Sequence, residues 1–268
     1  MGALMTFYEV IIVQGEKIMN AKKNYALLID ADNSPASKID VVLAEIAKYG
    51  VVNIRRAYGN WKSSNLKGWE KSLHEHAIQP IQQFDYTKGK NSTDIAMVID
   101  SMDLLLSKKM DGFCIMSSDS DFTPLVMRVR AEGKDVLGFG EKKTPASFVN
   151  ACSTFLYLEQ IGSDESKTGK IKSLEKHPHE QRKTVAELRA DTKLVTLLRS
   201  AVENAEDDDG WSALVKVGSY IANQASFDPR NYGYRKLVDL VTATGLFEIT
   251  MRGDDFPQPY VCDKRKNR

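Results

Sequence analysis

The chain has 268 residues, of which 42% are hydrophobic and 27% are charged, and its formal net charge is +1. These values are typical of a folded globular protein, and the near-zero net charge means that a nucleic-acid partner would have to be met by local basic patches rather than by a global field. Three widely separated cysteines (Cys114, Cys152 and Cys262) argue against zinc and disulfides and favour a reduced, cytoplasmic protein, and no apolar run reaches the roughly 18 residues of a membrane span.

Residues 1–24 form an unusual leader. Their apolar run, Val10 to Val13, lacks the basic region and the cleavage site of a signal peptide. The tripeptide Gln-Gly-Glu at 14–16 can be encoded by CAAGGAGAA, which contains a bacterial ribosome-binding sequence at a suitable distance before an ATG codon. We therefore expect translation to begin at Met19 and treat the leader as a segment that need not be native.

Short apolar runs alternate with longer amphipathic segments between residues 25 and 159. Strands are predicted at 25–30, 51–59, 78–84, 112–116, 135–140 and 154–159, and helices at 35–49, 63–76, 92–109, 123–133 and from 144 onward. This alternation predicts an α/β fold with a doubly wound, mostly parallel sheet and helices on both faces. Pro80 favours an edge position for the third strand.

The rest of the chain divides into two parts. Residues 160–190 are polar and lysine-rich and are predicted to be a linker, partly helical near "TVAELRA". Residues 191–268 contain three amphipathic segments followed by a predicted β-hairpin. Three helices and a hairpin predict a small winged-helix domain.

Several aspartates follow the ends of predicted strands. Asp30 and Asp32 follow the first strand, and Asp119 and Asp121 follow the fourth. If the strand order is 3-2-1-4-5, the first and fourth strands are neighbours at the point where strand order reverses, which is where such sheets bind ligands. Asp94, in the first turn of the helix at 92–109, is placed to join them.

A helical wheel of 92–109 assigns the acids on that helix. The predicted buried face consists of Ile95, Val98, Ile99, Met102, Leu105 and Leu106. Asp94 lies at the rim of that face and points towards the sheet, whereas Asp100 and Asp103 are expected on the solvent side.

Clustered carboxylates favour a hard cation such as Mg²⁺ or Mn²⁺ and suggest metal-assisted hydrolysis of a phosphodiester. Asn33 and Ser118 are candidates to support the site. The alternative for any one acid is a turn or helix cap. For Asp119 and Asp121 we expect capping to be unnecessary, because Thr123 and Pro124 form a good N-cap and N1 pair.

Basic and aromatic residues surround the same edge, a combination that suits single-stranded nucleic acid. The basic candidates are Arg55, Arg56, Lys62, Lys67, Lys88 and Lys90, and the aromatic ones are Tyr58, Trp61, Trp69 and Tyr86. For each residue the alternative is core packing or a solvated face.

The segment 25–158 resembles a NYN domain of the LabA-like branch of the PIN-like nuclease superfamily. The matching stretches are "LLIDADN", "RRAYGNW", "IQPIQQFDYTKGKNSTDIAMVIDSMDLL" and "SSDSDFTPLVMRVRAEGKDVLGFG". The resemblance implies a metal-dependent ribonuclease whose catalytic and metal-binding acids are Asp30, Asp94, Asp119 and Asp121, with Asn33 in the first motif. On this basis residues 25–159 are predicted to be the nuclease domain.

The C-terminal part resembles the OST-HTH, or LOTUS, winged helix through "FDPRNYGYRKLVDLVTATGLFEI". That family is linked to RNA binding and, for some members, to protein partners. Its basic-aromatic cluster here is Arg230, Tyr232, Tyr234, Arg235 and Lys236. The alternative is that some of these residues serve folding.

Together these patterns predict a cytoplasmic endoribonuclease that depends on Mg²⁺ or Mn²⁺ and whose winged helix recruits RNA. No membrane association is expected, and the sequence is compatible with an oligomer. A HAD-like phosphatase is one alternative, because Asp30-Ala-Asp32-Asn33-Ser34 matches a DxDxS nucleophile motif. The other alternative is an RNA-binding adaptor without catalysis.

Overall fold

The computed structural model describes residues 10–13, 16–19, 22–84, 92–107, 109–162, 182–253 and 257–266. Two short strands, β1 (Val10–Val13) and β2 (Glu16–Met19), pair as an antiparallel hairpin in the leader. Lys88, Lys90 and most of the predicted linker lie outside the described residues. In the described part, no helix is long and apolar enough to cross a membrane.

A six-stranded parallel sheet forms the first domain. Its strands are β3 (Lys23–Asp30), β4 (Gly50–Gly59), β5 (Gln79–Gln82), β6 (Gly112–Met116), β7 (Asp135–Gly140) and β8 (Thr154–Tyr157). The order is β5-β4-β3-β6-β7-β8, and every neighbouring pair is parallel. The predicted fold class and strand order are therefore confirmed, and the Pro80 strand is an edge strand.

Helices cover both faces of this sheet. They are α1 (Ile39–Ile46), α2 (Trp69–Glu75), α3 (Ser92–Ser107), α4 (Thr123–Ala131) and α5 (Ala146–Ala151). Because side chains alternate along a strand, Leu27 and Ile29 pack with α1 and α2 on one face, and Ala26 and Leu28 pack with α3 and α4 on the other. Because β3 is buried on both faces, its sequence is a continuous apolar run rather than an alternating pattern.

The orientation of α3 differs from the prediction. Its buried residues are Thr93, Met97, Ser101, Leu104 and Leu105, whereas Ile95, Ile99 and Leu106 are 59%, 57% and 72% exposed. The helix is turned so that Asp100 reaches the sheet, where it pairs with Arg56 and accepts a hydrogen bond from the buried Tyr58 hydroxyl. The prediction that Asp100 faces solvent was wrong, because the most apolar face was taken to be the buried one.

The second domain contains the helices α6 (Val185–Ala190), α7 (Thr192–Asn204), α8 (Leu214–Gln224) and α9 (Leu237–Thr244) and the strands β9 (Ser212–Ala213), β10 (Phe247–Arg252) and β11 (Gln258–Asp263). The strands form an antiparallel sheet in the order β10-β11-β9. Leu188 of α6 is fully buried in the core of this domain. Helix α6 therefore packs with the winged helix, although its sequence was predicted to be part of the linker.

The two domains meet at the sheet edge formed by β8. The side-chain amide of Asn231 donates to the Phe155 carbonyl (2.8 Å) and accepts from the Tyr157 N–H (3.3 Å), both on the open side of β8. Beside it, Arg230 forms ion pairs with the buried Glu45 of α1 and with Asp228. At this interface, hydrogen bonds satisfy polar backbone groups on the open edge of β8, and ion pairs neutralise the charge of Arg230.

Replacing Asp100 tests the orientation of α3. We expect Asp100→Ala to reduce the free energy of unfolding by about 1–3 kcal/mol, because it leaves Arg56 and the buried Tyr58 hydroxyl without their shared acceptor. Asp103→Ala, on the exposed side of the same helix, should change it by less than about 0.5 kcal/mol. Urea denaturation measures both variants, and equal effects would contradict the orientation seen here.

Replacing Arg230 tests the domain interface. Arg230→Ala is expected to destabilise the protein by about 1–3 kcal/mol, because the buried Glu45 and Asp228 both lose the guanidinium, and Glu45 keeps only Lys48 as an ion-pair partner. Lys236→Ala, an exposed change a few residues further on, is the matched control and should be nearly neutral. Thermal and denaturant unfolding compare the two, and an unchanged stability in Arg230→Ala would mean that the ion pairs contribute nothing.

Candidate active site

Asp30 ends the central strand β3 and is fully buried. Its carboxylate accepts a hydrogen bond from the Ser117 hydroxyl (2.8 Å) and from the Asn33 side-chain amide, which lies 3.3 and 3.2 Å from the two oxygens. Burial raises the pKa of Asp30, and these hydrogen bonds oppose that rise. The carboxylate is therefore fixed in position by Ser117 and Asn33.

The loop after β6 carries the second group of acids. Asp119 precedes a single turn of 3₁₀-helix at Ser120–Phe122 and caps it, since its Oδ1 accepts the Asp121 N–H at 2.8 Å. Thr123 is the first residue of α4, and its hydroxyl donates to the Ser120 carbonyl. The expectation that Asp119 is not needed as a cap was wrong, because the chain inserts this turn before the helix.

Ser117 and Ser118 have different partners. The Ser118 hydroxyl accepts the Glu141 N–H at 2.9 Å, in the loop that follows β7. Ser117 bonds Asp30 and accepts the Asp119 N–H at 3.0 Å, so it connects the two groups of acids. Ser117, which was not among the predicted residues, is thus the serine that contacts Asp30. The alternation of side chains along a strand could have identified Ser117 in advance. Ser117 directly follows β6 and is buried like the residues of that strand.

Asp94, in the first turn of α3, is half-buried and lies among the other acids. Burial, followed by the negative charges of Asp30, Asp119, Asp121 and Asp32, raises the pKa of Asp94 to about 6. Three separate segments of the chain therefore bring their carboxylates to one edge of the sheet. At neutral pH this edge holds a concentrated negative charge.

Asp32 adds a fifth acid to this group. It is exposed, and its Oδ2 accepts a hydrogen bond from the Thr93 hydroxyl at 3.2 Å, which joins the first loop to the start of α3. The sequence placed Asp32 beside Asp30 after the first strand, but the predicted catalytic and metal-binding set did not include it. Its position one residue from Asn33 and two from Asp30 was the signal that could have included it.

The donor set suits a hard divalent cation. Within the described ranges, no group of three or more Asp, Glu, His or Cys side chains is arranged so that it could hold a metal ion by itself. Mg²⁺, however, commonly uses one or two carboxylates together with water and phosphate oxygens. Burial is the main cause of the raised pKa of Asp94, and the neighbouring carboxylates raise it further; a cation at this edge would offset that second contribution.

The basic residues predicted to bind nucleic acid in the first domain lie in different places and have different partners. Arg55 and Arg56 project from opposite faces of β4, where Arg55 donates to the His76 carbonyl at 2.7 Å and Arg56 pairs with Asp100. Lys62 is exposed in the loop after β4, with its ammonium 5.0 Å from the centre of the Phe84 ring. The two arginines thus bond groups within the protein, and Lys62 remains at the edge where the acids lie.

A groove of about 510 Å³ lies beside Lys62, and Trp61, Lys67 and Pro80 contribute to its walls. The Trp61 indole donates to the Ile81 carbonyl at 3.0 Å, which holds the aromatic wall against β5. By contrast, Trp69 and Tyr58 are buried in the core, so the packing alternative holds for those two. Aromatic and basic groups therefore meet at the β4–β5 end of the carboxyl edge.

The residues of the predicted basic-aromatic cluster in the winged helix have different environments in the structure. Arg230 is turned into the domain interface, where its charge is paired, which argues against the phosphate contact predicted for it. Tyr232 packs against Phe227 with ring centres 5.8 Å apart and lies under the Lys183 ammonium. Arg235 and Lys236 are exposed before α9.

Family comparisons agree with this architecture. The NYN domain matches residues 24–159, and the OST-HTH/LOTUS domain matches residues 189–257. An uncharacterized protein of Methanocaldococcus jannaschii is 27% identical over 119 residues, which cover 43% of this chain and 46% of that protein. The chain thus spans less than half the length of this curated relative.

Two solved structures are similar over part of the chain. A protein of unknown function from Vibrio parahaemolyticus shares 17% identity with a TM-score of 0.43, covering 52% of this chain and 94% of that one. An uncharacterized protein from Nitrosomonas europaea shares 33% identity with a TM-score of 0.27, covering 36% of this chain and 92% of that one.

The NYN domain is a nuclease-type domain, and the OST-HTH/LOTUS domain is an RNA-binding type. Their order matches the order of the two domains in the fold. The chain belongs to the NYN domain family and carries an OST-HTH/LOTUS domain after its nuclease-type domain.

Proposed function

We propose that the protein is a metal-dependent endoribonuclease whose OST-HTH/LOTUS domain recruits RNA. The observation that supports this most is the environment of Asp94, a half-buried carboxyl whose pKa is raised to about 6 by burial and by four neighbouring aspartates. Strongly perturbed carboxyls in a cluster favour a catalytic or metal-binding role over a purely structural one. The order of a nuclease-type domain and an RNA-binding domain supports RNA as the substrate.

The residues of the cluster have separable roles in this proposal. Asp30, Asp94, Asp119 and Asp121 would hold Mg²⁺ or Mn²⁺, with Asp32 nearby. Asn33 and Ser117 keep the Asp30 carboxylate in place through hydrogen bonds to its oxygens. When bound, such an ion supplies activation of water and stabilisation of the charge that develops at phosphorus.

Asp94 makes cation binding depend on pH. In the metal-free protein its pKa is about 6, so protonation of this carboxyl competes with cation binding just below neutral pH. Water would attack phosphorus, the bond to the leaving RNA oxygen would break, and that oxygen would take up a proton. Exposed Lys62 and Lys67, beside the groove at β4 and β5, would hold the RNA backbone.

The phosphatase alternative finds little support in this geometry. It requires Asp30 as a covalent nucleophile, yet Asp30 is 0% exposed and both of its oxygens lie within hydrogen-bonding distance of the Asn33 amide. A buried carboxylate held in this way is poorly presented for in-line attack on a phosphate. The first test below also distinguishes the proposed ribonuclease from an RNA-binding adaptor without catalysis.

We also propose a cytoplasmic location. All three cysteines are buried free thiols, and burial raises the pKa of the Cys114 and Cys152 thiols, which makes them packing groups of low reactivity. From the sequence we also propose that the winged helix can bind a protein partner and that the protein can form an oligomer.

The first test compares wild type with Asp119→Asn on mixed single-stranded RNA and DNA, with Mn²⁺ and with EDTA. Asparagine retains the oxygen that caps the 3₁₀ turn but removes the negative charge, so we expect cleavage to fall roughly 100-fold or more without loss of fold. Asp103→Asn on the exposed side of α3 is the control and should cleave normally. Equal cleavage by wild type and Asp119→Asn would remove the proposed site, and an inactive wild type would favour the adaptor.

The second test concerns the stability of the metal-free protein. Because the folded-state pKa of Asp94 lies near 6, above its ordinary 3.8, this group favours folding below about pH 4 and loses that contribution as the pH rises through about 6. In EDTA at pH 7 we expect Asp94→Asn to melt roughly 2–4 °C higher than wild type, corresponding to about 1 kcal/mol after allowance for partial solvent exposure.

Calorimetry at a series of pH values measures this difference. Near pH 4 the two proteins should have the same melting temperature, because Asp94 is then protonated and carries no charge in wild type. A constant difference at every pH would show that the repulsion among the acids is not its cause.

A further inference from the structure

A cleft of about 300 Å³ separates the two domains. Its nuclease-side wall includes Thr144, Asn150 and Tyr157, and its winged-helix wall includes Lys193, Phe227 and Tyr232. Neither domain alone contains both walls. The volume is at the lower end of the range for small-ligand sites, close to the size of one nucleotide.

Contacts across the interface hold the two walls in place. Asn231 bonds the backbone of β8 on both sides of Leu156, at the Phe155 carbonyl and the Tyr157 N–H. The Arg230 ion pair with Glu45 adds a second attachment further along the interface. The cleft is therefore defined by specific bonds between the domains.

The cleft opens at the same edge of the sheet as the acids. Thr144 follows β7 and Tyr157 ends β8, just as Asp119 follows β6, and these three strands are adjacent and parallel. Two strand spacings amount to about 10 Å. The two loops are also joined directly, because the Glu141 N–H donates to Ser118 and the Thr144 hydroxyl donates to the Glu141 carbonyl.

The chemistry of the walls suits a nucleotide. Tyr157 and Phe227 offer aromatic surface for a base, whereas the Tyr232 ring already contacts Phe227 and the Lys183 ammonium. Lys193 on α7 is exposed and has no ion pair within the described part of the chain. The acids in the lining already have partners, since Asp191 pairs with Lys183 and Asp228 pairs with Arg230. A base that stacks and a phosphate that meets a lysine are the usual contacts with single-stranded nucleic acid.

We propose that this interdomain cleft binds one nucleotide of the RNA strand, on the β8 side of the phosphate that lies at the carboxylates. The proposal rests on the proposed ribonuclease function and specifies where the winged helix meets the substrate. RNA would then run along the carboxyl edge, from the groove beside Lys62, over the acids, to the cleft. The winged helix contacts RNA here through Lys193 and Phe227, rather than through the paired Arg230.

The test measures binding of a fluorescent single-stranded RNA to the full chain, with Asp94→Asn in every variant to block cleavage. Lys193→Glu and Asn150→Glu each change one exposed residue on opposite walls of the cleft, so both should keep the fold. We expect each to weaken binding about tenfold, and Lys193→Glu to reduce the slope of log affinity against log salt by about 0.7, as for one lost phosphate contact on a single strand. Lys264→Glu reverses a charge in the same domain outside the cleft and is the control.

An RNA carrying 4-thiouridine adds a measurement of position. Irradiation should crosslink it to peptides that contain Tyr157 or Phe227, and Lys193→Glu should reduce that yield. Unchanged affinity and salt slope in both cleft variants would overturn the proposal, even if wild type cleaves RNA. Absence of cleavage by wild type would instead count against the ribonuclease, and the binding data would still decide whether the cleft holds RNA.

Discussion

The hydrogen bond between Ser117 and the buried carboxylate of Asp30 determines how the functional edge of this protein is arranged. It joins the end of β3 to the loop after β6, the two neighbouring strands where the strand order reverses. Ser117 also accepts the Asp119 N–H, so the same hydroxyl positions the second group of acids. With Asn33 on the other side, a fully buried carboxyl group is supported by polar groups from two loops, and the remaining acids can gather around it.

Charge pairing divides the basic residues into two classes. Arg56 and Arg230 lie in partly buried positions and are paired with Asp100, Glu45 and Asp228. The lysines at the edge, such as Lys62 and Lys193, are exposed. This division is consistent with the character of the side chains, because a planar guanidinium bonds several acceptors at once and an ammonium stays well hydrated at the surface. In a chain of net charge +1, the lysines at the edge are then the groups available for phosphate.

The domain interface links architecture to the proposed substrate path. Strand β8 would otherwise expose a polar edge, and Asn231 satisfies two of its groups with a side chain rather than with another strand. This contact brings the winged helix to the same end of the sheet as the carboxylates. In the proposed substrate path, the winged helix supplies lysine and aromatic surface of the kind that binds single-stranded nucleic acid.

The sequence predicted the alternation of strands and helices and, on the assumption that the first and fourth strands are neighbours, the placement of Asp30, Asp94 and the Asp119–Asp121 pair at one edge. It could do so because apolar periodicity and the geometry of parallel sheets are properties of the chain pattern. The tertiary structure alone decided which face of α3 is buried, which serine supports Asp30, and which arginines are paired inside the protein. Those outcomes depend on a partner distant in sequence: Asp100 turns inward because Arg56 and Tyr58 need an acceptor, and Arg230 turns inward because Glu45 is buried.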